Sequence, residues 1–174
     1  HYFKKDGSSI RAGGWGYLLG DEGSGYDIGN HALRRVLKYH DGRSYEGDAL
    51  CASVLEHFGL KHPMELITHI YEASYPRKII AGLGRRVIEL ARGGNKEALD
   101  IMMLAIRELK SLLSAIHEKD EESRNSPLVI SGGLFQSDFF KQAFESTIRG
   151  AGVIQTIIYP DYPPVIGAYI CALL

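Results

Sequence analysis

The sequence contains few of the residues that build disulfide frameworks, metal knuckles or membrane spans. Its two cysteines, Cys51 and Cys171, lie far apart within helical patterns and form no CxxC pair, so we expect a reducing, cytoplasmic setting. No apolar run approaches the roughly 20 residues that a membrane-spanning helix needs, and no membrane partner is expected. The seven histidines form no HExxH or HxH set, and we expect no metal ligands in this chain.

The sequence also lacks an excess of either charge. Its 20 basic and 21 acidic residues give a net charge of −1, and no basic stripe is interleaved with aromatic residues. This balance argues against nucleic acid as a partner. With 174 residues and 45% hydrophobic content, the chain has the size of one globular domain with a single core. It begins at His1 without a methionine, and we expect it to be a piece of a longer protein.

Predicted strands and helices alternate along the chain, as is typical of α/β proteins. Residues 1–20 predict a β-meander whose third strand runs from Trp15 to Leu19. Apolar spacing, caps and helix-opening prolines predict helices over 24–39, 48–58, 64–73, 76–92 and 96–119. The last third predicts strands at 128–130 and 153–158 and helices at 138–149 and 164–174. A meander followed by alternating helices and strands predicts a ribonuclease-H-like layout.

The most informative motif is the glycine-rich segment RAGGWGYLLGDEGSGYDIGN, from Arg11 to Asn30. Its glycines permit positive φ and let backbone amides approach a ligand closely. Asp21 supplies a carboxylate acceptor, with Glu22 as a second candidate, and Trp15 supplies a flat apolar wall. This pairing suits a polyhydroxylated ligand, whose C–H face stacks on the ring while its hydroxyls donate to the carboxylate. The alternative is that the segment is two tight turns joined by a strand, in which Asp21 caps the following helix.

Two further segments fit either nucleotide contacts or plain packing. The turn SGGLFQS at residues 131–137 follows a buried strand and opens a helix, an arrangement that lets glycines and a helix N-terminus approach a nucleotide. It fits an ordinary strand-to-helix loop equally well. A side chain at Gly133 would intrude on that space, and the alternative effect of a substitution there is a less stable fold through loss of a positive-φ conformation. The segment IAGLG at residues 80–84 lies in a helical pattern, where small residues are most simply packing contacts.

Together with PPVIGA at residues 163–168, the GGWG and GDEGS segments resemble the N-acetylglucosamine kinase and BadF/BadG-type ATPase family of the actin/hexokinase/Hsp70 superfamily. The likeness covers almost the whole chain in order. It implies an α/β, ribonuclease-H-like (actin-like ATPase) lobe, with a mixed sheet flanked by helices and a helical insertion. It also implies that the amino sugar contacts Gly14, Trp15, Gly16, Asp21 and Gly25. The nucleotide contacts that it implies are Ala81, Gly133 and Ser137.

The resemblance further implies ATP-dependent phosphorylation of an amino sugar such as N-acetylglucosamine, with ATP and Mg²⁺ as cofactors. In this family the phosphate-binding DGGGT-type turn and the catalytic aspartate belong to an N-terminal lobe, and neither is in this sequence. Residues 1–174 are therefore expected to be the C-terminal lobe, without part of its first strand. We expect this lobe to hold no catalytic residue and to be inactive alone. Its expected partners are the amino sugar and the N-terminal lobe of the same polypeptide, and a homodimer is left open.

Two other functions remain open at this point. One is an ATPase that activates a 2-hydroxyacyl-CoA dehydratase or benzoyl-CoA reductase through an iron–sulfur cluster, held on cysteine thiolates at a dimer interface. Cys51 and Cys171 have no such context, and the GGWG and GDEGS pair favours the sugar kinases. The other is a non-catalytic sugar-sensing module. Among sugar kinase substrates, N-acetylglucosamine, glucosamine and N-acetylmuramate all stay candidates, because the N-terminal lobe supplies part of that pocket.

Overall fold

The computed structural model describes residues 1–150, 152 and 156–173. Within them it has seven α-helices and four short strands, and the predicted α/β class is confirmed. The helices are α1 (Gly25–His40), α2 (Asp48–Phe58), α3 (Glu65–Tyr71), α4 (Pro76–Arg92), α5 (Lys96–Lys119), α6 (Asp138–Gly150) and α7 (Pro164–Leu173). The strands are β1 (Tyr2–Phe3), β2 (Ser9–Ile10), β3 (Leu128–Val129) and β4 (Ile157–Ile158), and 3₁₀ turns occupy Glu121–Asn125 and Gly133–Gln136.

The helix ends follow local signals in the sequence. The side chain of Ser24 accepts a hydrogen bond from an amide of the first turn of α1, and Asn95 does the same for α5. Such caps satisfy amides that have no partner within the helix. Pro76 occupies the first position of α4, where its missing N–H costs nothing. Gly59, with a φ of 67°, ends α2 in the left-handed conformation.

The predicted third strand of the N-terminal meander is wrong. β1 and β2 pair antiparallel, with Tyr2 opposite Ile10. Residues 15–19 form a tight loop instead, whose one described bridge joins Gly16 to Gly20. Gly16 has a φ of 94°, a value outside the strand region that an L side chain rarely adopts. Leu18 and Leu19 are 77% and 82% exposed, so apolar character in this segment does not reflect burial in a sheet.

The second sheet is a parallel pair. Leu128 of β3 lies opposite Ile157 of β4. Both strand directions of a mixed sheet are therefore present, but the described residues place them in two separate sheets of two strands each. Residues 153–155 of the predicted strand at 153–158 lie outside the described residues, as does Leu174 of the last predicted helix.

An apolar slot of about 850 Å³ lies between β1 and β3, with residues of α5 also lining it. The amides of Leu128 and Ile130 donate to carbonyls of the β4 segment. Because successive residues of a strand point their backbone groups to opposite edges, those of Val129 point away from β4. Val129 and Phe3 both line the slot, and they are 58% and 75% exposed. We call this cavity the inter-sheet slot.

A single core joins α1, α4 and α5 to α2 and α6. Its largest buried side chains include Ile28, Leu50, Leu83, Ile101, Met102, Ile106, Phe140 and Ile148, each contributing about 1.5–3 kcal/mol by burial. The contact between α1 and α4 depends on glycine, because a Cβ on Gly29 would lie 2.0 Å from the carbonyl oxygen of Ile80. This close approach places the loop before α1 beside the first turns of α4.

Three chemical features of the described residues bear on function. No described helix combines the length and apolar content needed to cross a bilayer. No described group of three or more His, Cys, Asp or Glu side chains is arranged to hold a metal ion. Cys51 is buried in α2, and burial raises the pKa of its thiol, which disfavours the thiolate.

Candidate functional site

The Gly13-Gly14-Trp15-Gly16 turn is closed by its own backbone. Gly13, Gly14 and Gly16 have φ values of 68°, 69° and 94°, in the region that favours glycine because a Cβ would clash there. The Trp15 amide donates to the Gly20 carbonyl at 3.0 Å, and the Gly20 amide donates to the Gly16 carbonyl at 2.8 Å. This closed turn holds the indole of Trp15 on the surface, where the residue is 70% exposed.

Arg11 braces the same turn, although it was not among the predicted site residues. Its Nε donates to the Gly13 carbonyl at 2.9 Å, and its Nη2 donates to the Gly14 carbonyl. The guanidinium carbon lies 4.9 Å from the centroid of the Trp15 ring, a distance typical of cation–π contacts. Arg11 therefore orients the indole, and most of the ring stays accessible to a ligand.

Asp21 does not cap α1. The cap is Ser24, whose Oγ accepts from the Asp27 amide at 3.1 Å, while the Asp27 carboxylate accepts from the Gly23 amide at 3.0 Å. These bonds differ from a capping box only in that the Asp27 carboxylate accepts from Gly23, the residue before the cap. Asp21 Oδ2 instead lies 3.6 Å from Nη2 of Arg77 in α4, and the Asp21 side chain is 26% exposed. Its carboxylate is thus available for a function other than capping.

A depression of about 160 Å³ lies beside this loop. Its lining includes the carboxylates of Asp21, Glu22 and Asp27 and the amide of Asn30, and Tyr17 and Tyr26 supply aromatic rings. Neither lysine nor arginine is among its described lining residues. Because ionised carboxylates only accept hydrogen bonds, this depression suits a ligand that donates them, such as one with hydroxyl groups. We call it the acidic pocket.

A second depression, of about 450 Å³, shares Tyr17 with the first. Its charged lining residues are Arg77 and Lys78, and no carboxylate is among the described residues that line it. The Arg77 guanidinium carbon lies 5.5 Å from the centroid of the Tyr17 ring, and the Arg77 side chain is 60% exposed. We call this depression the basic pocket. The Asp21–Arg77 ion pair connects the two pockets.

Gly25 and Ala81 meet where α1 packs against α4. A Cβ on Gly25 would lie 3.1 Å from the Ala81 carbonyl oxygen, and a Cβ on Gly84 would lie 3.0 Å from the Gly25 Cα. Packing alone therefore accounts for glycine at positions 25 and 84. Ala81 also lines the basic pocket. The predicted ligand contacts of Gly25 and Ala81 stay predictions.

The SGGLFQS turn opens onto a separate cleft of about 530 Å³ between α4 and the start of α6. Gly133 and Ser137 line this cleft, with Arg85 of α4 opposite them in the lining. Nη2 of Arg85 donates to Oε1 of Gln136 at 3.0 Å. The Oγ of Ser137 accepts from the Phe140 amide at 3.4 Å, which caps α6. We call this space the α4–α6 cleft.

The glycine of this turn that adopts positive φ is Gly132, not Gly133. Gly132 has a φ of 142°, whereas Gly133 is outside the positive range. Of the two effects left open for a substitution at Gly133, loss of a positive-φ conformation therefore does not apply. A Cβ on Gly133 would meet no atom within 4 Å, so the position faces open space in the cleft. This geometry leaves room for a ligand such as the adenosine part of ATP.

A sequence model of the BadF/BadG/BcrA/BcrD ATPase family matches residues 1–172. The chain belongs to this family. It is 37% identical over 134 residues to the N-acetylmuramic acid/N-acetylglucosamine kinase of Clostridium acetobutylicum, a match that covers 76% of this chain and 44% of that protein. It is 32% identical over 180 aligned positions to the N-acetyl-D-glucosamine kinase of Dictyostelium discoideum, covering 98% of this chain and 54% of that protein.

The fold of this BadF/BadG family member is also found in a crystal structure. A Chromobacterium violaceum protein assigned as an N-acetylglucosamine kinase superposes with a TM-score of 0.74 and 25% sequence identity, over 97% of this chain and 53% of that one. The predicted actin-like ATPase fold is confirmed. The chain spans about half the length of the relatives that it matches.

The predicted site residues of this family member fall in distinct places. Gly14, Trp15 and Gly16 form the exposed turn, and Asp21 lies in the acidic pocket. Gly25 lies in the contact between α1 and α4, and Ala81 lines the basic pocket. Gly133 and Ser137 line the α4–α6 cleft, which does not include Ala81 among its described lining residues.

Arg77 and Lys78, which line the basic pocket, were not among the predicted site residues, and neither was Arg11. Arg77 and Lys78 lie in the first turn of α4, which contains no acidic residue. The helix dipole favours negative charge at this end and disfavours cations. Two cations directly after Pro76 are therefore an electrostatically unfavourable arrangement that is visible in the sequence. That arrangement is the signal that could have marked them as candidates.

Proposed function

We propose that this chain is the sugar-binding lobe of an ATP-dependent kinase that phosphorylates an amino sugar such as N-acetylglucosamine. The observation that carries the proposal is the accessible Trp15 indole on a closed glycine turn, followed by the acidic pocket at Asp21. A pyranose has an apolar C–H face and a rim of hydroxyl donors. Such a ligand can stack on the indole while its hydroxyls donate to the carboxylates.

The backbone around this site supports the sugar assignment. Positive φ at Gly14 and Gly16 removes side chains next to Trp15, so a ligand can approach the main chain. Asp21 is not needed as a helix cap, because Ser24 fills that role. The names of the relatives in Clostridium acetobutylicum and Dictyostelium discoideum give amino sugars as substrates, which supports the same class here.

The α4–α6 cleft is the proposed site for the adenosine part of ATP. The residues present fit the group, because Gly133 faces open space and Arg85 and Gln136 supply polar groups at the rim. ATP supplies the transferred γ-phosphoryl group, and Mg²⁺ neutralises phosphate charge during such transfers. We propose that Mg²⁺ is bound mainly by the N-terminal lobe of the same polypeptide. The residues of this chain would hold the nucleoside and exclude water from it.

The inter-sheet slot is consistent with a second lobe, or a further strand, that packs against this lobe and completes it. Phe3 and Val129 present exposed strand edges to an apolar cavity of about 850 Å³, and exposed edges of this kind are usually paired or covered in proteins. The general base that activates the sugar hydroxyl is proposed to come from the N-terminal lobe. We therefore expect residues 1–174 alone to show no sugar-dependent ATP turnover, whereas the proposed two-lobed protein is active.

Substitution of Asp21 in the proposed two-lobed protein tests this function. A hydrogen bond to a charged group contributes about 1.5–3 kcal/mol, so Asp21→Ala should lower kcat/KM for N-acetylglucosamine by about 10- to 150-fold. The KM for ATP should change much less. Asp100→Ala is a matched control, because Asp100 also pairs with an arginine, Arg35, at 3.7 Å but lies outside the acidic pocket.

Equal sugar kinetics for the Asp21 and Asp100 variants would contradict the proposed role of Asp21. Iron content of the same preparation separates the kinase from an iron–sulfur ATPase activator. The described residues offer no support for the latter, since Cys51 is buried in the core. A sugar sensor without catalysis would bind N-acetylglucosamine but release no ADP.

A further inference from the structure

We propose that Arg11 is a positioning residue for the acceptor sugar, because it holds the Trp15 indole with one face covered and the opposite face free for stacking. This inference rests on the proposed kinase function and adds to it a residue that was not among the predicted sugar contacts. The observation behind it is that one guanidinium contacts two carbonyls and the aromatic ring of the same turn.

The guanidinium fixes the backbone of the turn. Gly13 and Gly14 are successive residues at positive φ, 68° and 69°, a conformation that glycine adopts at little cost. Arg11 donates from Nε to the Gly13 carbonyl at 2.9 Å and from Nη2 to the Gly14 carbonyl. Because the donors lie in one rigid plane, they fix the two carbonyls relative to each other. A lysine ammonium, on a flexible stem, cannot reproduce that geometry.

The same guanidinium lies over the Trp15 ring, with its carbon 4.9 Å from the ring centroid. A cation at this distance is attracted by the face of an indole, so Arg11 restricts the rotation of the side chain. Trp15 is nevertheless 70% exposed, which leaves the opposite face accessible. The sugar therefore stacks on the face away from Arg11, and the guanidinium, the indole and the pyranose form three layers.

Helix α5 anchors the segment that carries Arg11. Nζ of Lys119, the last residue of α5, donates to the Arg11 carbonyl at 3.2 Å. Gly13 packs on Leu112 of the same helix, since a Cβ at position 13 would lie 2.8 Å from Leu112 Cδ2. The main chain on both sides of the turn's first residues is thus held by a core helix. A turn held in this way needs little ordering when a ligand binds, and such preorganisation strengthens binding.

A direct contact between Arg11 and the sugar is the competing interpretation. Arg11 is exposed, but it is not among the described residues that line the acidic pocket. Its Nε and Nη2 already donate to the turn, and its plane lies over the indole. These contacts favour action through Trp15.

The test measures sugar kinetics in the proposed two-lobed protein with N-acetylglucosamine as acceptor. Arg11→Gln should raise the KM for this sugar by about 5- to 30-fold, as for loss of hydrogen bonds from an exposed charged donor. The kcat and the KM for ATP should stay within about 2-fold, because Arg11 contacts neither the nucleotide nor the reacting atoms. Arg11→Lys keeps the charge without the planar fork and should fall between wild type and Arg11→Gln.

A double-mutant cycle separates positioning from direct binding. In a Trp15→Ala background, Arg11→Gln should change sugar affinity by less than about 2-fold, because the ring that Arg11 positions is gone. Acrylamide quenching gives a second measurement. The Trp15 emission, obtained by subtracting the spectrum of the matching Trp15→Phe variant, should be quenched more strongly in Arg11→Gln, because the covered face of the indole becomes accessible.

Lys141→Gln is the matched control, because Lys141 also lies over an aromatic ring, with Nζ 3.7 Å from the centroid of the Tyr159 ring. It is not among the described residues that line the acidic pocket, and its loss should leave the sugar KM at the wild-type value. Thermal melts establish that each variant is folded, and Arg11→Lys keeps the test decisive where Arg11→Gln melts early. Calorimetry with N-acetylglucosamine alone gives affinity independently of turnover.

Two results would overturn the inference. An equal effect of Arg11→Gln in the wild-type and Trp15→Ala backgrounds would mean that Arg11 does not act through the indole. Unchanged sugar affinity in Arg11→Gln, with sugar-dependent ADP release intact, would leave the kinase function standing and remove the positioning role. Conversely, Arg11-dependent binding of N-acetylglucosamine that is lost in Trp15→Ala, without ADP release by the wild type, would support the positioning role and contradict the kinase function.

Discussion

From the geometry of the α4–α6 cleft we predict different effects for substitutions of two adjacent glycines, Gly132 and Gly133. Gly133 lies outside the positive φ range, and the Cβ that Gly133→Val adds would meet no atom within 4 Å in the unliganded protein. Gly132 has a φ of 142°, and Gly132→Ala therefore forces a Cβ into a strained backbone conformation. The first variant should affect ATP binding, whereas the second should affect stability.

The magnitudes follow from these local environments. Valine at position 133 would occupy space proposed for the adenosine, and overpacking of a fitted site costs about 1–3 kcal/mol. The KM for ATP should rise by about 5- to 150-fold, with the free energy of unfolding within about 0.5 kcal/mol of wild type. Strain at Gly132 should cost about 1–3 kcal/mol, which lowers the Tm of a domain of about 150–250 residues by about 2–4 °C for each kcal/mol.

The assay pairs thermal melts with steady-state kinetics at varied ATP and saturating N-acetylglucosamine, in the proposed two-lobed protein. We expect Gly133→Val to melt with the wild type and to bind ATP weakly. Gly132→Ala is expected to melt earlier and, where folded, to show a smaller change in the KM for ATP. Unchanged ATP affinity in Gly133→Val, with an unchanged Tm, would refute the placement of the nucleotide in this cleft.

Two further predictions concern stability. Gly29→Ala should lower the free energy of unfolding by about 1–3 kcal/mol or more, because its Cβ would lie 2.0 Å from the Ile80 carbonyl oxygen. The control Gly82→Ala, whose Cβ would meet nothing within 4 Å, should leave the stability unchanged or raise it. Equal Tm values for the two variants would contradict this packing. The hydrogen bond from Lys4, at 2.8 Å, lowers the pKa of Asp120 from 3.8, so its stabilisation is present above pH 3.8 and lost as the pH falls through the lowered pKa. Lys4→Ala should weaken the acid dependence of Tm below about pH 4, and an unchanged acid dependence would count against the ion pair.

The helices were predictable because their signals are local. The sequence predicts α2 at residues 48–58, and the structure has Asp48–Phe58. Pro76 and Asn95 mark the starts of α4 and α5 as expected. These features depend on φ restriction and on capping by nearby side chains, so a few neighbouring residues carry enough information.

The N-terminal loop and the charged pockets were harder to predict for two reasons. Residues 15–19 are apolar but exposed, and the positive φ of Gly16 turns them into a loop although their composition indicates a strand. The contact of Asp21 with Arg77 joins positions that are distant in sequence, and the apolar spacing that predicts helices and strands does not indicate it. Only the packing of α1 against α4 brings the two side chains together.

The most direct test of the central claim is ADP release by the proposed two-lobed protein, measured with and without N-acetylglucosamine at saturating ATP and Mg²⁺. The account predicts that ADP release depends on the sugar and matches the amount of sugar phosphate formed. ADP release that is independent of the sugar, with no sugar phosphate among the products, would contradict the assignment of this chain as an amino sugar kinase lobe.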